Sequence, residues 1–306
     1  MRALNSKKKY TARTKQMSSR KKTRKNCSPK ELVNNPNVMK TCYNNKSLST
    51  LKTLWNKKNP DRLITYDNAD DIREALRLNM KKNCNNERCW LKHVYYDRAT
   101  NHELNGSFTP LSPKTWINNP NEWLSSDDII NVMNQYESAY KCFKFIGPSP
   151  IDFYVKQQNG QCVWNDICNL NLKQMIGSGK KKLGFIFNTD PHYKGGSHWI
   201  SLFVNLKKGN IFFFDSVGSK MPKEINTLVK NIVKQGQELT PRINFVIDQN
   251  YPVEHQYGNT ECGIYSIYFI VHMLEDKLTG NYLKTHILKD KYMQKFRKIY
   301  FTPYNN

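Results

Sequence analysis

The chain of 306 residues carries 48 lysines and arginines against 25 acidic residues, a net charge of +23, with 38% hydrophobic and 12% aromatic residues. That apolar content excludes a wholly disordered chain and is enough for the core of one large domain or two modest ones. The longest run dominated by apolar side chains, Ile264 to Leu274, is far shorter than the roughly 18 residues a membrane-spanning helix needs, and Tyr, Ser and His interrupt it.

Residues 1–30 hold twelve of the basic residues and no acid, in clusters at Lys7, Lys8, Lys9 and at Arg20, Lys21, Lys22, Arg24, Lys25. They show no apolar periodicity and read as a flexible basic arm. The arm has no apolar stretch that would serve as a signal-peptide core, so synthesis and retention in the cytosol are expected. The remaining 36 basic and 25 acidic residues still leave +11, so the folded part is basic in its own right. Cations at that density attract polyphosphates by counterion release, which makes DNA or RNA a candidate partner through the arm. A solubilising or nuclear-targeting tail is the alternative reading of the same charges.

From residue 31 to about 140 the pattern is helical and interrupted by Pro110, Pro113 and Pro120. Asp70 or Asp71 is expected to cap a helix whose Ile72, Ala75, Leu76 and Met80 share a face. Ser125 and Asp128 stand at capping-box spacing before a stripe of Ile129, Met133, Tyr136 and Tyr140. After the Gly147-Pro148-Ser149-Pro150 break the texture changes to strands: Gly184–Asn188, Trp199–Asn205 and Ile211–Phe214, the last two pairing as a hairpin across Lys207-Lys208-Gly209-Asn210. Pro222 opens an amphipathic helix bearing Ile225, Leu228, Val229, Ile232 and Val233 that ends near Gly236. Ile243–Ile247 reads as another strand, and Cys262–Leu274, apolar on nearly every face, as a helix buried in the core. The expected fold class is therefore α+β: a mixed sheet packed against helices and preceded by a helical region.

A thiol nucleophile needs a base in hydrogen-bond reach, a group that orients the base, and donors for the developing oxyanion. The second half of the chain supplies each type. His198 opens one predicted strand and Asp215 closes the next, so a hairpin would bring them side by side. Cys262 sits where a loop becomes the buried helix, with unpaired N–H groups and the positive end of the helix dipole favouring a thiolate. Gly263 leaves room for a substrate backbone, and Gln256, six residues before Cys262, offers an amide as an oxyanion donor. Each of these residue types has a commoner structural use, so the weight lies in their joint spacing.

Other groups carry less. The eight cysteines are irregularly spaced, so reduced thiols are expected rather than a disulfide framework. Cys84, Cys89, His93 and His102 are zinc-ligand types, but their spacing departs from the common fingers, and packing is the preferred reading. Gly177-Ser178-Gly179-Lys180 lacks the full phosphate-loop frame and reads as a solvated turn. Asp127 and Asp128 suit a helix first turn. Cys162 and Cys168 flank Trp164 in a core-facing segment, and His192 and His255 read as loop residues.

Ser197-His198-Trp199-Ile200, Phe213-Phe214-Asp215-Ser216 seventeen residues after the histidine, and Gln256 six before Glu261-Cys262-Gly263 resemble the signature of the Ulp1 and adenain class of cysteine proteases. Within that class, the additional N-terminal region, the Lys- and Asn-rich composition and the segment Gln256–Tyr268 resemble the processing proteases of large cytoplasmic DNA viruses such as African swine fever virus. The resemblance covers roughly residues 150–300. It implies a papain-like, Ulp1-type core in a catalytic domain at 141–306, after a helical domain at 31–140. It further implies Cys262 as nucleophile, His198 as general base and then acid, Asp215 as the orienting carboxylate and Gln256 as oxyanion donor, with no metal or organic cofactor. Trp199 would line a narrow cleft for substrates of Gly-Gly-x type. The implied activity is cleavage of viral structural precursors in virion maturation, in host cytoplasm and virion. Two rivals stand beside it: an isopeptidase acting on ubiquitin-like conjugates, and an inactive basic nucleic-acid-binding scaffold with a protease fold.

Overall fold

The computed structural model describes residues 26–34, 41–94 and 97–304. Of the basic arm expected at 1–30, residues 1–25 lie outside the described residues. The described residues up to Ser112, with those from Lys298 onward, form one unit; Pro113–Arg297 form the other.

In the first unit, helices α1 (Pro29–Asn34), α2 (Asn45–Lys58), α3 (Ala69–Met80) and α4 (Arg98–Asn105) surround an apolar core. Asn44 caps α2 by accepting from Ser47 N–H, and Asn68 caps α3 by accepting from Asp71 N–H. The cap of α3 is therefore Asn68, whereas Asp70 and Asp71 occupy its first turn, where negative charge favours the dipole. Leu48, Leu51 and Trp55 of α2 and Ile72, Leu76 and Met80 of α3 are buried at helical spacing and belong to one core cluster.

The expectation of reduced cysteines fails. Cys27–Cys42, Cys84–Cys89 and Cys162–Cys168 are disulfides with Cα separations of 5.0, 5.5 and 6.4 Å, leaving Cys142 and Cys262 free. The partners are only 15, 5 and 6 residues apart, so each bond needs a local loop and no regular long-range pattern announces it.

The second unit comprises α5 (Ser126–Ala139), β1 (Phe143–Pro150), α6 (Asn165–Cys168), α7 (Leu172–Gly177), β2 (Lys182–Asn188), β3 (Trp199–Asn205), β4 (Asn210–Phe214), α8 (Lys223–Glu238), β5 (Val246–Gln249), α9 (Cys262–Leu274) and α10 (Gly280–Thr285), followed by α11 (Asp290–Tyr300). The strands form one sheet in the order β1-β2-β3-β4-β5, parallel at β1/β2 and β4/β5 and antiparallel between. Strand alternation divides the core. Leu202, Val204, Ile211 and Phe213 share a cluster with Ile225, Leu228, Val229 and Ile232 of α8. On the opposite face Phe212 and Phe214 meet Phe269 of α9, with ring centroids 5.9 and 5.0 Å apart. A Cβ on Gly184 would lie 2.8 Å from Ile270 Cγ2, so glycine lets α9 sit close to the sheet.

Strand β5 runs from Val246 to Gln249 rather than from Ile243 to Ile247, and β1 and the unit boundary also differ from expectation. Gly147-Pro148-Ser149-Pro150 is the second half of edge strand β1, with a register break between Ile146 and Ser149, a place where a sheet tolerates proline. The unit boundary also falls at Ser112 rather than near residue 140, because α5 packs on β1 and α9 through its buried Ile129, Val132 and Met133. The capping box of α5 forms as expected, with Ser125 Oγ accepting from Asp128 N–H and the Asp128 carboxylate accepting from Ser125 N–H.

Candidate active site

The β3–β4 register pairs Ser201 with Phe214, so the residues just outside the hairpin, His198 and Asp215, arrive at the same end of the sheet. His198 Nε2 lies 2.7 Å from Asp215 Oδ1. Asp215 is buried and doubly fixed. Its Oδ1 accepts from Val217 N–H at 3.0 Å, and its backbone N–H donates to Asn250 Oδ1 at 2.9 Å while Asn250 Nδ2 donates back to Asp215 O at 2.7 Å. Asn250 is wholly buried and holds the carboxylate-bearing turn.

The Cys262 side chain is the second group that acts on the charge of the His198 ring. With Nε2 engaged by Asp215, Nδ1 is the nitrogen left for the sulfur. Burial disfavours charge on the ring, yet the hydrogen bonds and charges of Asp215 and Cys262 outweigh it and raise the His198 pKa to about 9. Asp215, through a hydrogen bond, and Cys262 thus act on the same imidazole.

Cys262 is the first residue of α9, where the leading N–H groups have no intrahelical acceptor. The start of this helix is held by a buried ion pair: Arg297 Nε donates to both Glu261 carboxylate oxygens at 2.9 and 3.1 Å, and its other nitrogens donate to Thr260 O and Glu122 O. Arg297 and Glu261 are 5% and 1% exposed at their side chains, so the pair is desolvated and its geometry locked. Gln256 is buried as well, its Oε1 accepting from Ser216 Oγ at 2.8 Å and its Nε2 donating to Gly258 O at 2.7 Å.

Trp199 is buried, with its indole N–H donating to Leu124 O at 3.0 Å. It lines a cavity of about 920 Å³ together with Trp123, Leu124, Trp164 and Asp190. Gly263 differs from expectation. A Cβ there would lie 3.0 Å from Leu124 Cβ and Cδ1, so the space is filled by Leu124 rather than left open to a substrate backbone.

The remaining candidates make other contacts. His192 is exposed, lines the same cavity and pairs with Asp152 at 2.7 Å. His255 is wholly buried against Phe214, its Nδ1 accepting from Leu288 N–H, and burial lowers its pKa so that it stays neutral. Cys84 and Cys89 bond to each other, with the His93 donor atom within 4.8 Å, and His102 stands outside that group. Asp127 and Asp128 lie in the first turn of α5. Sequence reasoning missed Asn250, the Arg297–Glu261 pair and Leu124. Their roles depend on partners 35, 36 and 75 residues away in the chain, which no local pattern marks.

The model of the Ulp1 protease family, C-terminal catalytic domain, matches residues 129–306. The chain is 27% identical over 284 residues to a protein of Acanthamoeba polyphaga mimivirus provisionally named a thiol protease, covering 85% of this chain and 89% of that one. It is 28% identical over 120 residues to a protein of African swine fever virus named a SUMO-1 cysteine protease, covering 39% of this chain and 43% of that one. The crystal structure of an African swine fever virus protease superposes with a TM-score of 0.62 at 19% identity, over 90% of this chain and 97% of that one, a likeness of fold.

Proposed function

This chain belongs to the Ulp1 family of cysteine proteases, and we propose that Cys262, His198, Asp215 and Gln256 carry its reaction. The fold is the Ulp1-like α+β arrangement, preceded by a helical N-terminal region. The observation that carries the assignment is the hydrogen bond from His198 to buried Asp215, with Cys262 at a helix N-terminus acting on the same ring.

In this reading the Cys262 thiolate, paired with the His198 imidazolium, attacks a peptide carbonyl and forms a C–S bond. The oxyanion is held by the Cys262 N–H and by the second Nε2–H of Gln256, whose first is committed to Gly258 O. His198 gives its proton to the departing amine, then accepts one from the water that hydrolyses the thioester. Asp215 keeps Nε2 engaged, so the ring presents Nδ1 to the sulfur throughout. Thiol chemistry of this kind requires neither a metal nor an organic cofactor.

The substrates we propose are viral structural precursors cut after small residues of Gly-Gly-x type during virion maturation, in the host cytoplasm and the virion. Two features support this: Trp199 pinned beside the cavity, and relatives that are viral proteins named as proteases. A second reading, removal of SUMO-like modifiers, is favoured by the name of the African swine fever virus relative. DNA or RNA held by the basic arm would keep the enzyme near packaged substrates. Purified protein and its Cys262→Ala variant, assayed on a Gly-Gly-x peptide, a capsid precursor and a SUMO conjugate, test the proposal. Cleavage of peptide and precursor by the parent alone is expected. Cleavage by the variant would remove Cys262 from the mechanism, and a preference for the conjugate would favour the second reading.

A further inference from the structure

The turn of the β3–β4 hairpin lies at the end of the sheet opposite His198 and Asp215. β3 has seven residues, which at ~3.3 Å each separate the two ends by roughly 20 Å. A second cavity, of about 840 Å³, opens at the far end between the turn after α7, the hairpin turn and the loop from α8 to β5. Its walls include Ile176, Leu206, Leu239 and Ile243. Around them stand Lys173, Lys180, Lys181, Lys207, Lys208 and Arg242, against one acid among the described residues, Glu238.

Two of the six cations are occupied: Lys180 Nζ donates to Phe143 O at 2.8 Å, and Lys208 pairs with Asp276 at 2.7 Å. Lys173, Lys181, Lys207 and Arg242 meet no carboxylate among the described residues. Four unneutralised cations facing one concavity repel each other, and apolar walls focus their field into it. Binding an anion relieves that repulsion.

The chemistry of the anion follows from the lining. The volume lies in the range of small-molecule sites, roughly 300–1,000 Å³. Among the described residues no aromatic ring lines it, so the base stacking by which single-stranded nucleic acid is held has no platform here. The Gly177-Ser178-Gly179-Lys180 turn is not a backbone cradle either, because the N–H groups of Ser178, Gly179 and Lys180 already donate to the carbonyls of Gln174, Ile176 and Met175. Recognition must come from side-chain charges, and a group of linked phosphates concentrates several negative charges into the span of four cations, which one carboxylate per peptide residue does not. We propose that this cavity binds a small anion carrying several phosphate groups, at a site separate from the catalytic residues and independent of them.

The test is titration of the full chain with inorganic triphosphate, followed by calorimetry, with a short DNA duplex as the second arm. Saturable triphosphate binding is expected, weakened at least tenfold in the Lys173→Glu, Arg242→Glu double variant. It should be kept within twofold in a Lys230→Glu, Lys234→Glu control on the exposed face of α8. Peptidase activity of both variants without triphosphate should equal that of the parent, so the outcome does not hinge on the protease assignment. Equal loss in the control would assign the affinity to diffuse charge. Duplex binding without triphosphate binding would assign the charge to nucleic acid, and either result overturns the proposal.

Discussion

Replacing Asp215 by Asn keeps a side-chain oxygen able to accept from His198 Nε2 but removes the negative charge. In the parent, that charge and hydrogen bond, with those of Cys262, override the effect of burial and raise the ring from 6.5 to about 9. A change of that size corresponds to ~3 kcal/mol in favour of the protonated ring. In the proposed mechanism, the imidazolium that would give its proton to the leaving amine is therefore present across neutral pH and disappears only near pH 9. The assay is the pH dependence of kcat/KM on a Gly-Gly-x peptide. The parent should lose activity on an alkaline limb near pH 9. The Asp215→Asn enzyme should lose it at least one pH unit lower, with kcat/KM at neutral pH down on the order of ten- to a hundredfold. An unchanged limb in the variant would refute the claim that Asp215 sets the charge of the ring. Stability carries the same sign: because the folded pKa is raised, the charged ring stabilises the fold fully below pH ~6.5, and that contribution fades as pH climbs through about 9.

Arg297→Met leaves the Glu261 carboxylate buried without its partner at the threshold of α9. Urea denaturation should show a loss of ~3–5 kcal/mol, with the Glu261→Gln, Arg297→Met double variant recovering part of it. Gly263→Ala places a methyl group 3.0 Å from Leu124. Thermal melts should register ~1–3 kcal/mol of overpacking, and displacement of Leu124, which accepts from the Trp199 indole, should raise KM more than it lowers kcat. Asn250→Ala strands the buried Asp215 N–H and frees the turn around it. A cost of ~1–3 kcal/mol is expected by denaturant titration, and an unchanged midpoint would show the Asn250 bonds to be incidental.

The hairpin that unites His198 and Asp215 was legible because β3 and β4 are short runs of aromatic and branched residues on either side of a glycine-containing turn, and strand pairing then determines which ends meet. The helix Cys262–Leu274 was equally legible from its continuous apolar character. Strand β5 shows where such reading ends. Ile243 and Phe245 pack against the core from a loop, while the strand itself begins at Val246 and exposes Val246 and Ile247, so burial and ladder pairing do not coincide at this edge. Strand β1 was hidden for the converse reason, since two prolines and a glycine mark a turn unless an edge position and a register break accommodate them. At the site, residue types and spacing pointed to His198 and Asp215, which the structure joins, and to Cys262, which acts on the same ring. The groups that hold them, Asn250 and the Arg297–Glu261 pair, are defined by tertiary contacts alone, and so is the use of Gly263, where the missing side chain makes room for Leu124.

The most direct test of the catalytic account is the rate at which iodoacetamide labels the two free cysteines, Cys262 and Cys142, at neutral pH, followed by digestion and mass spectrometry. An imidazolium-paired thiolate at Cys262 should be alkylated much faster than Cys142, and His198→Ala should abolish that advantage. Equal rates at the two cysteines in the parent protein, or a Cys262 rate indifferent to the loss of His198, would contradict it.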